Sequence, residues 1–287
     1  MTCILCGSKD CQSSSLLVRC NDCGSAFSAL APPVSYYEDQ YFVTQNSIEE
    51  TEHRRLFRLP EQIKLLRHIK QVSPAGSTLL DIGCDKGYFL DEARRHGYDA
   101  MGIEPSRSAR TYCERIGLTV LPELSLVTKT FDVITMWHSL EHFPDPNETI
   151  GAATRLLNKN GHLFIRVPDY SCIWRKLTGE RWIWYQPMNH YVHYSPDGLK
   201  SLLTRHGLHP VMIQSQRPDT FLTNLSFSLA SACFGRRSLR KTVGRFIVQL
   251  MGVEIFCIAE HSAAGDSPSL LGAKNLAAEC KETVKTN

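Results

Sequence analysis

No apolar run in this chain approaches the roughly 20 residues that a bilayer-spanning helix needs. The richest stretch, FIVQLMGVEIFCIA (246–259), is short and carries Gln249 and Glu254. The opening residues MTCILCGSKD have neither a basic n-region nor an apolar h-region, so they do not read as a secretory signal. Charge of one sign is also scarce. The formal net charge is +3, too little to point by itself to nucleic acid or to a membrane. Basic clusters at Arg54-Arg55-Arg58, Arg175-Lys176 and Arg236-Arg237-Arg240-Lys241 read as solvated helix faces. No G-x-G-x-x-G occurs, which excludes the usual nicotinamide-binding fingerprint. A cytoplasmic protein is the expectation.

Cysteine, in contrast, is plentiful: 11 among 287 residues, five of them within the first 23. In a reducing compartment these are thiols or metal ligands rather than disulfides. Cys3-Ile-Leu-Cys6-Gly7 and Cys20-Asn-Asp-Cys23-Gly24 are two C-x2-C-G knuckles with 13 residues between them. Two cysteines three apart turn both sulfurs toward one ion, and the glycine that follows accepts a left-handed backbone. The pair of knuckles completes a tetrahedral S4 shell, so Cys3, Cys6, Cys20 and Cys23 are expected to hold a structural Zn2+. Cys11 lies outside the pattern. So short a segment cannot fold on an apolar core alone, and the metal would supply its folding energy.

This divides the chain into a zinc-ribbon-like module (1–30), a linker with lid helices (31–76) and a main α/β domain (77–260). Residues 261–287 have little core potential and are expected to be disordered. Residues 47–72 carry helical periodicity through Ile48, Leu56, Leu59, Ile63, Leu66 and Ile69, and Pro60 is expected to split the segment into two helices. From Ser77 onward strands and helices alternate: strands at 78–82, 99–103, 119–121, 131–136 and 162–167, helices after Gly87, Ser106, Asp145-Pro146 and Ser195-Pro196, and a turn at 158–161. A last, antiparallel strand is expected at 253–259. The rhythm predicts an α/β, doubly wound, mostly parallel Rossmann-like sheet, with ligands beyond the carboxyl ends of its strands.

Four stretches then stand in order over about 100 residues: LLDIGCDKGYFL (79–90), GIEPS (102–106), FDVITMWHSLEHFPDP (131–146) and NGHLFIRVPD (160–169). Together they resemble the class I S-adenosylmethionine (SAM) dependent methyltransferases, whose sheet has seven strands. The resemblance implies SAM as cofactor. It places Asp81, Gly83 and Gly87 in the loop around the methionine part of SAM and Glu104 on its ribose hydroxyls, with Trp137 lining the cofactor and Glu123 a candidate for the adenine side. Asp85 stands where many relatives have a third glycine; Asp tolerates left-handed backbone and is expected to keep the loop's shape and to face the positively charged methionine end.

His138-Ser-Leu-Glu141-His142 follows the fourth main-domain strand. It formally matches the H-x-x-E-H of some zinc peptidases, but its place after a methyltransferase strand argues against that reading. L-E-H-x-x-D-P at this place resembles a subgroup that includes ubiquinone-biosynthesis O-methyltransferases and small-RNA end methyltransferases. Some of those hold a divalent metal there, so a second divalent metal at the acceptor site is a further expectation, softer than Mg2+ because His138 replaces an acid. A hydroxyl acceptor must lose its proton, and His138, Glu141, His142 and His190 are the candidate catalytic groups, His138 as base. His190 and His193 belong to WRKLTGERWIWYQPMNHYVHYSP (174–196), within an aromatic insertion (169–194) suited to an acceptor pocket. Residues 220–251 either cover the sheet or meet a lipid-linked substrate at a membrane surface.

The expected activity is SAM-dependent O-methylation of a small-molecule or glycan acceptor. Two rivals are an RNA methyltransferase gripping RNA with its ribbon, disfavoured because the ribbon holds only Lys9 and Arg19 as basic residues, and a SAM-binding regulator without turnover.

Overall fold

Short polar and apolar strands built around the cysteine knuckles begin the chain: β1 (Cys11–Ser14), β2 (Leu17–Cys20) and β3 (Ala26–Ser28) form an antiparallel ribbon. The computed structural model describes residues 1–14, 16–28, 48–216 and 253–262. Residues 15, 29–47, 217–252 and 263–287, which include the 31–47 linker, the 220–251 segment and the tail, lie outside the described residues. Helix α1 (Ile48–Val72) leads into β4 (Thr78–Ile82), α2 (Tyr88–Arg95), β5 (Asp99–Ile103), α3 (Arg107–Arg115), β6 (Thr119–Leu121), β7 (Phe131–Trp137), α4 (Pro146–Leu156) and β8 (Leu157–Pro168). After these come α5 (Ile173–Thr178), the two-residue strand β9 (Val192–His193), α6 (Pro196–Arg205), β10 (Leu208–Gln216) and β11 (Glu254–His261).

Seven strands form one sheet in the order β10-β11-β8-β7-β4-β5-β6. The five from β4 to β8 are parallel, and β11 enters antiparallel to both β8 and β10. Successive strand residues point to opposite faces, and the chain uses both. Leu80, Ile134 and Ile165 join Ile150, Leu199 and Leu202 of α4 and α6 on one face. Leu79, Val133 and Phe164 join Leu65, Leu66 and Ile69 of α1 on the other. The predicted caps are in place. Asp145 accepts from the amides of Asn147 and Glu148, Ser106 from Ala109, and Ser195 from Gly198.

Two expectations are corrected. Helix α1 is continuous through Pro60; the buried contacts of its C-terminal half offset the lost hydrogen bond and the ring's crowding. Residues 158–161 are not a turn preceding the strand but part of β8. Leu157 pairs with Phe131 and His162 with Val133, so the residues between bulge from the ladder.

The ribbon is fused to the main domain. Cys3, Leu5, Cys20 and Cys23 share one buried cluster with Phe131, Ile134 and Leu199. A fully buried leucine such as Leu5 contributes about 1.5–3 kcal/mol to holding the two together. Among the described residues no helix is long and apolar enough to cross a membrane.

Candidate functional site

The loop after β4 is shaped by its own packing. Gly83 and Gly87 are left-handed, at φ 80° and 68°. A Cβ on Gly83 would stand 2.5 Å from the Ser139 Cβ, and one on Gly87 2.5 Å from Leu118 Cδ1. The space beside both glycines is thus filled by protein side chains. Their amides are engaged too: Gly83 and Cys84 donate to the Ile103 carbonyl, and Gly87 to that of Cys84. What the glycines supply is the turn itself rather than an open backbone face. Asp85 is also left-handed, at φ 50°, which suits Asp better than most residues.

Glu104, at the end of β5, is buried and receives the Asp85 amide on Oε2 at 2.9 Å and the Ser106 amide on Oε1 at 2.8 Å. A carboxylate has about four acceptor positions, so two remain for hydroxyl donors. Burial pushes Glu104 up to about 7, opposed by those amide bonds. Asp81, in β4, accepts from Thr135 Oγ1 at 2.7 Å, and burial raises it likewise to about 7. These groups fit the cofactor the sequence suggested. Trp137 lies in an aromatic stack, parallel to Phe256 at 6.3 Å and edge-on to Phe89 at 5.3 Å. Glu123 is exposed just beyond β6.

The loop after β7 touches the first loop through Ser139, whose hydroxyl donates to the Ile82 carbonyl at 2.7 Å. It then gathers Glu141, His142 and His190, whose ligating atoms all lie within 4.8 Å of one another. The Nδ1 of His142 lies 2.9 Å from the Asn189 carbonyl; as donor it leaves Nε2 with a lone pair. One Glu141 oxygen is buried without a hydrogen-bond partner. A carboxylate and two imidazoles, one of them oriented by a backbone carbonyl, can hold a divalent ion. Burial pushes Glu141 up, but His138 and the neighbouring imidazoles outweigh it and keep the carboxyl below its usual range. Burial drives His190 down to about 4, so its ring is neutral.

His138 is different. It is left-handed at φ 53° and lies 3.6 Å from Glu141 and 3.3 Å from Glu254. Burial opposes its charge, but the two carboxylates prevail and lift it to about 10. An imidazolium has no lone pair, so this geometry opposes the expected role of His138 as base. Behind it runs a charge chain that sequence reading missed: Arg166, buried in β8, meets Glu254 at 2.5 Å and Glu61 of α1 at 2.5 Å. Burial pushes Glu254 up, but His138 and Arg166 together hold it down at about 2. The available signal was an arginine inside the apolar run HLFIRV.

The aromatic insertion closes over this cluster. Trp184 stacks on His138 at 5.6 Å, and the His190 ring meets those of His142 at 4.8 Å and His193 at 5.6 Å. In the ribbon, Cys3 and Cys23 sulfurs are 3.8 Å apart and those of Cys6 and Cys20 3.6 Å. A tetrahedron with zinc–sulfur bonds near 2.3 Å has edges of about 3.8 Å, so this quartet fits zinc.

Comparison with known proteins agrees with the fold. A family described as a methyltransferase domain matches residues 51–212. The ubiquinone biosynthesis O-methyltransferase of Methylococcus capsulatus is 35% identical over 103 residues, covering 32% of this chain and 44% of that protein. Its Coxiella burnetii counterpart is 30% identical over 115 residues, covering 37% and 48%. The chain thus spans less than half the length of these relatives. In fold it is similar to the cyclopropane synthase MmaA2 of Mycobacterium tuberculosis, with TM-score 0.53 and 16% identity over 69% of this chain and 83% of that one. Magnesium protoporphyrin IX methyltransferase of Synechocystis, solved with bound SAM, gives 0.50 and 11% over 79% and 94%.

Proposed function

The chain belongs to the methyltransferase-domain family, the class I SAM-dependent methyltransferases, and from that premise we propose that it methylates a hydroxyl oxygen of a small-molecule or glycan acceptor. The observation that carries this reading is the meeting, at Ser139, of the loop after β4, whose Asp85 amide binds Glu104, with the Glu141–His142–His190 cluster.

SAM supplies an activated methyl group on a sulfonium centre. The chain's tasks are then to hold the cofactor, aim the acceptor oxygen and take its proton. Glu104 accepts the ribose hydroxyls, while Asp85 fixes the loop and places a carboxylate toward the cationic end. Neutral His190 and the Nε2 of His142 are the proton acceptors, beside the Glu141 carboxylate. Where a divalent ion of borderline softness is bound, the same three side chains would hold it instead of taking the proton, and it would lower the pKa of a hydroxyl bound to it. His138, as a cation, anchors Glu141 and carries Trp184 on its ring. The aromatic insertion offers a ring-lined wall for the acceptor, in keeping with relatives named for O-methylation in ubiquinone biosynthesis. The four cysteines hold structural zinc. Packing of the ribbon into the main core weighs against its use as an RNA grip.

The test joins SAM calorimetry to transfer of labelled methyl onto a panel of phenols, catechols and sugars. Glu141→Gln should cut turnover by about 100-fold or more and leave the SAM Kd within about twofold. Binding without any turnover across the panel would favour a regulator, and methylation of RNA instead would overturn the acceptor class.

A further inference from the structure

The N-terminal sheet is not completed by N-terminal residues. Its fourth strand is β9, with Ala26 opposite His193 and Phe27 opposite Val192. Further bonds extend that seam. The Ser28 amide donates to the Tyr191 carbonyl at 2.8 Å, the Ser28 hydroxyl to the Pro187 carbonyl at 2.6 Å, and the Ser195 amide to Ser25 Oγ at 2.9 Å.

The other edge of the same segment is tied to the candidate site. The Tyr191 amide donates to the Glu141 carbonyl at 2.9 Å, and His142 bonds the Asn189 carbonyl. Tyr191 therefore gives its carbonyl to the ribbon and its amide to the catalytic loop, with His190 immediately before it. His193, buried on β9, has neither ring nitrogen hydrogen-bonded and packs against His190. Ligand-side and ribbon-side residues alternate along one short stretch.

We propose that the ribbon serves the reaction as an internal brace: it sets where His190 stands relative to Glu141 and His142, with Tyr191 as the positioning residue. This rests on the reading of that cluster as the acceptor side. The β3 edge of the ribbon is thus given to a strand of this chain's own acceptor side. The docking is close-fitting. Gly198 of α6 has no room for a Cβ, which would collide with Ser25 Oγ and approach Leu5 to 3.0 Å.

Two perturbations of the full-length chain test this. In the first, the ribbon is stripped of its metal by Cys20→Ser/Cys23→Ser, which leaves Glu141, His142 and His190 untouched. In the second, Gly198→Ala wedges the ribbon away while every cysteine remains. That substitution would otherwise favour a helix, so a loosening reports the clash. Both should speed amide exchange at 139–142 and 187–193 by about tenfold or more and remove the His142 Nδ1–H resonance bonded to Asn189. Exchange in β4 and β5 should hold, with the SAM Kd within about twofold. In Gly198→Ala, zinc content should stay at one per chain. If stripping unfolds the chain, the Gly198→Ala result decides. Faster exchange confined to residues 1–28, or spread evenly over the chain, with the His142 signal intact, overturns the brace. Failure of the wild type to bind SAM would instead sink the methyltransferase reading and leave the exchange result standing.

Discussion

In the proposed ribose-binding role, Glu104 couples cofactor binding to pH. Burial raises its carboxyl to about 7, so the free protein is half protonated near neutrality. The ribose hydroxyls need an acceptor, and the ionised form is the better one. SAM affinity should therefore weaken as pH falls through about 7, and Glu104→Gln should both lower affinity and flatten that dependence in calorimetry. The charge chain gives a second residue-scale prediction. Glu254→Gln deprives buried Arg166 and His138 of a shared anion, at a stability cost of about 3–5 kcal/mol measurable by urea unfolding. The His138 value seen by NMR should drop from about 10 toward the ordinary range, since one of its two carboxylates is gone. The place of Glu104 at the end of the second main-domain strand was legible, because that strand and its end are a local pattern. Arg166 and Glu254 were not, because the pattern of an apolar strand says nothing of which distant charges will neutralise one another.

Helix α1 shows how packing overrides a local rule. Pro60 has no amide to donate and crowds the carbonyl one turn back, a penalty of about 3 kcal/mol. Leu65, Leu66 and Ile69 are buried beyond it, and the helix continues. Pro60→Ala should accordingly raise the thermal midpoint; an unchanged or lower midpoint would mean that the helix needs the proline's bend. Capped helices and the five parallel strands were readable from Ser106, Asp145-Pro146 and Ser195-Pro196, whose side chains act within three residues. Strand β9 was not, since two residues carry no periodicity and its partner is far away in sequence.

On the scale of the whole molecule, ribbon and sheet share the buried cluster of Cys3, Leu5, Phe131 and Leu199, and the two are predicted to melt together. Zinc should be found at about one per chain and be lost in Cys20→Ser/Cys23→Ser. Zinc release and loss of helical circular dichroism should follow the same thermal curve. Two resolved transitions would show a ribbon that melts by itself. The double knuckle was plain in the sequence, because ligand spacing is local. Its union with the aromatic insertion was hidden, because it depends on contacts such as Ser25 with Ser195, 170 residues apart.

That separation also orders events during synthesis. The ribbon's cysteines leave the ribosome before the main domain and can capture metal at once. The strand that completes its sheet emerges only after β4 to β8. Until then the β3 edge is an open template for foreign strands, and closing it is a late, long-range step of the kind that slows folding. The interval between the twenty-eighth residue and the one-hundred-and-ninety-third is thus the window in which a nascent chain would most benefit from a chaperone.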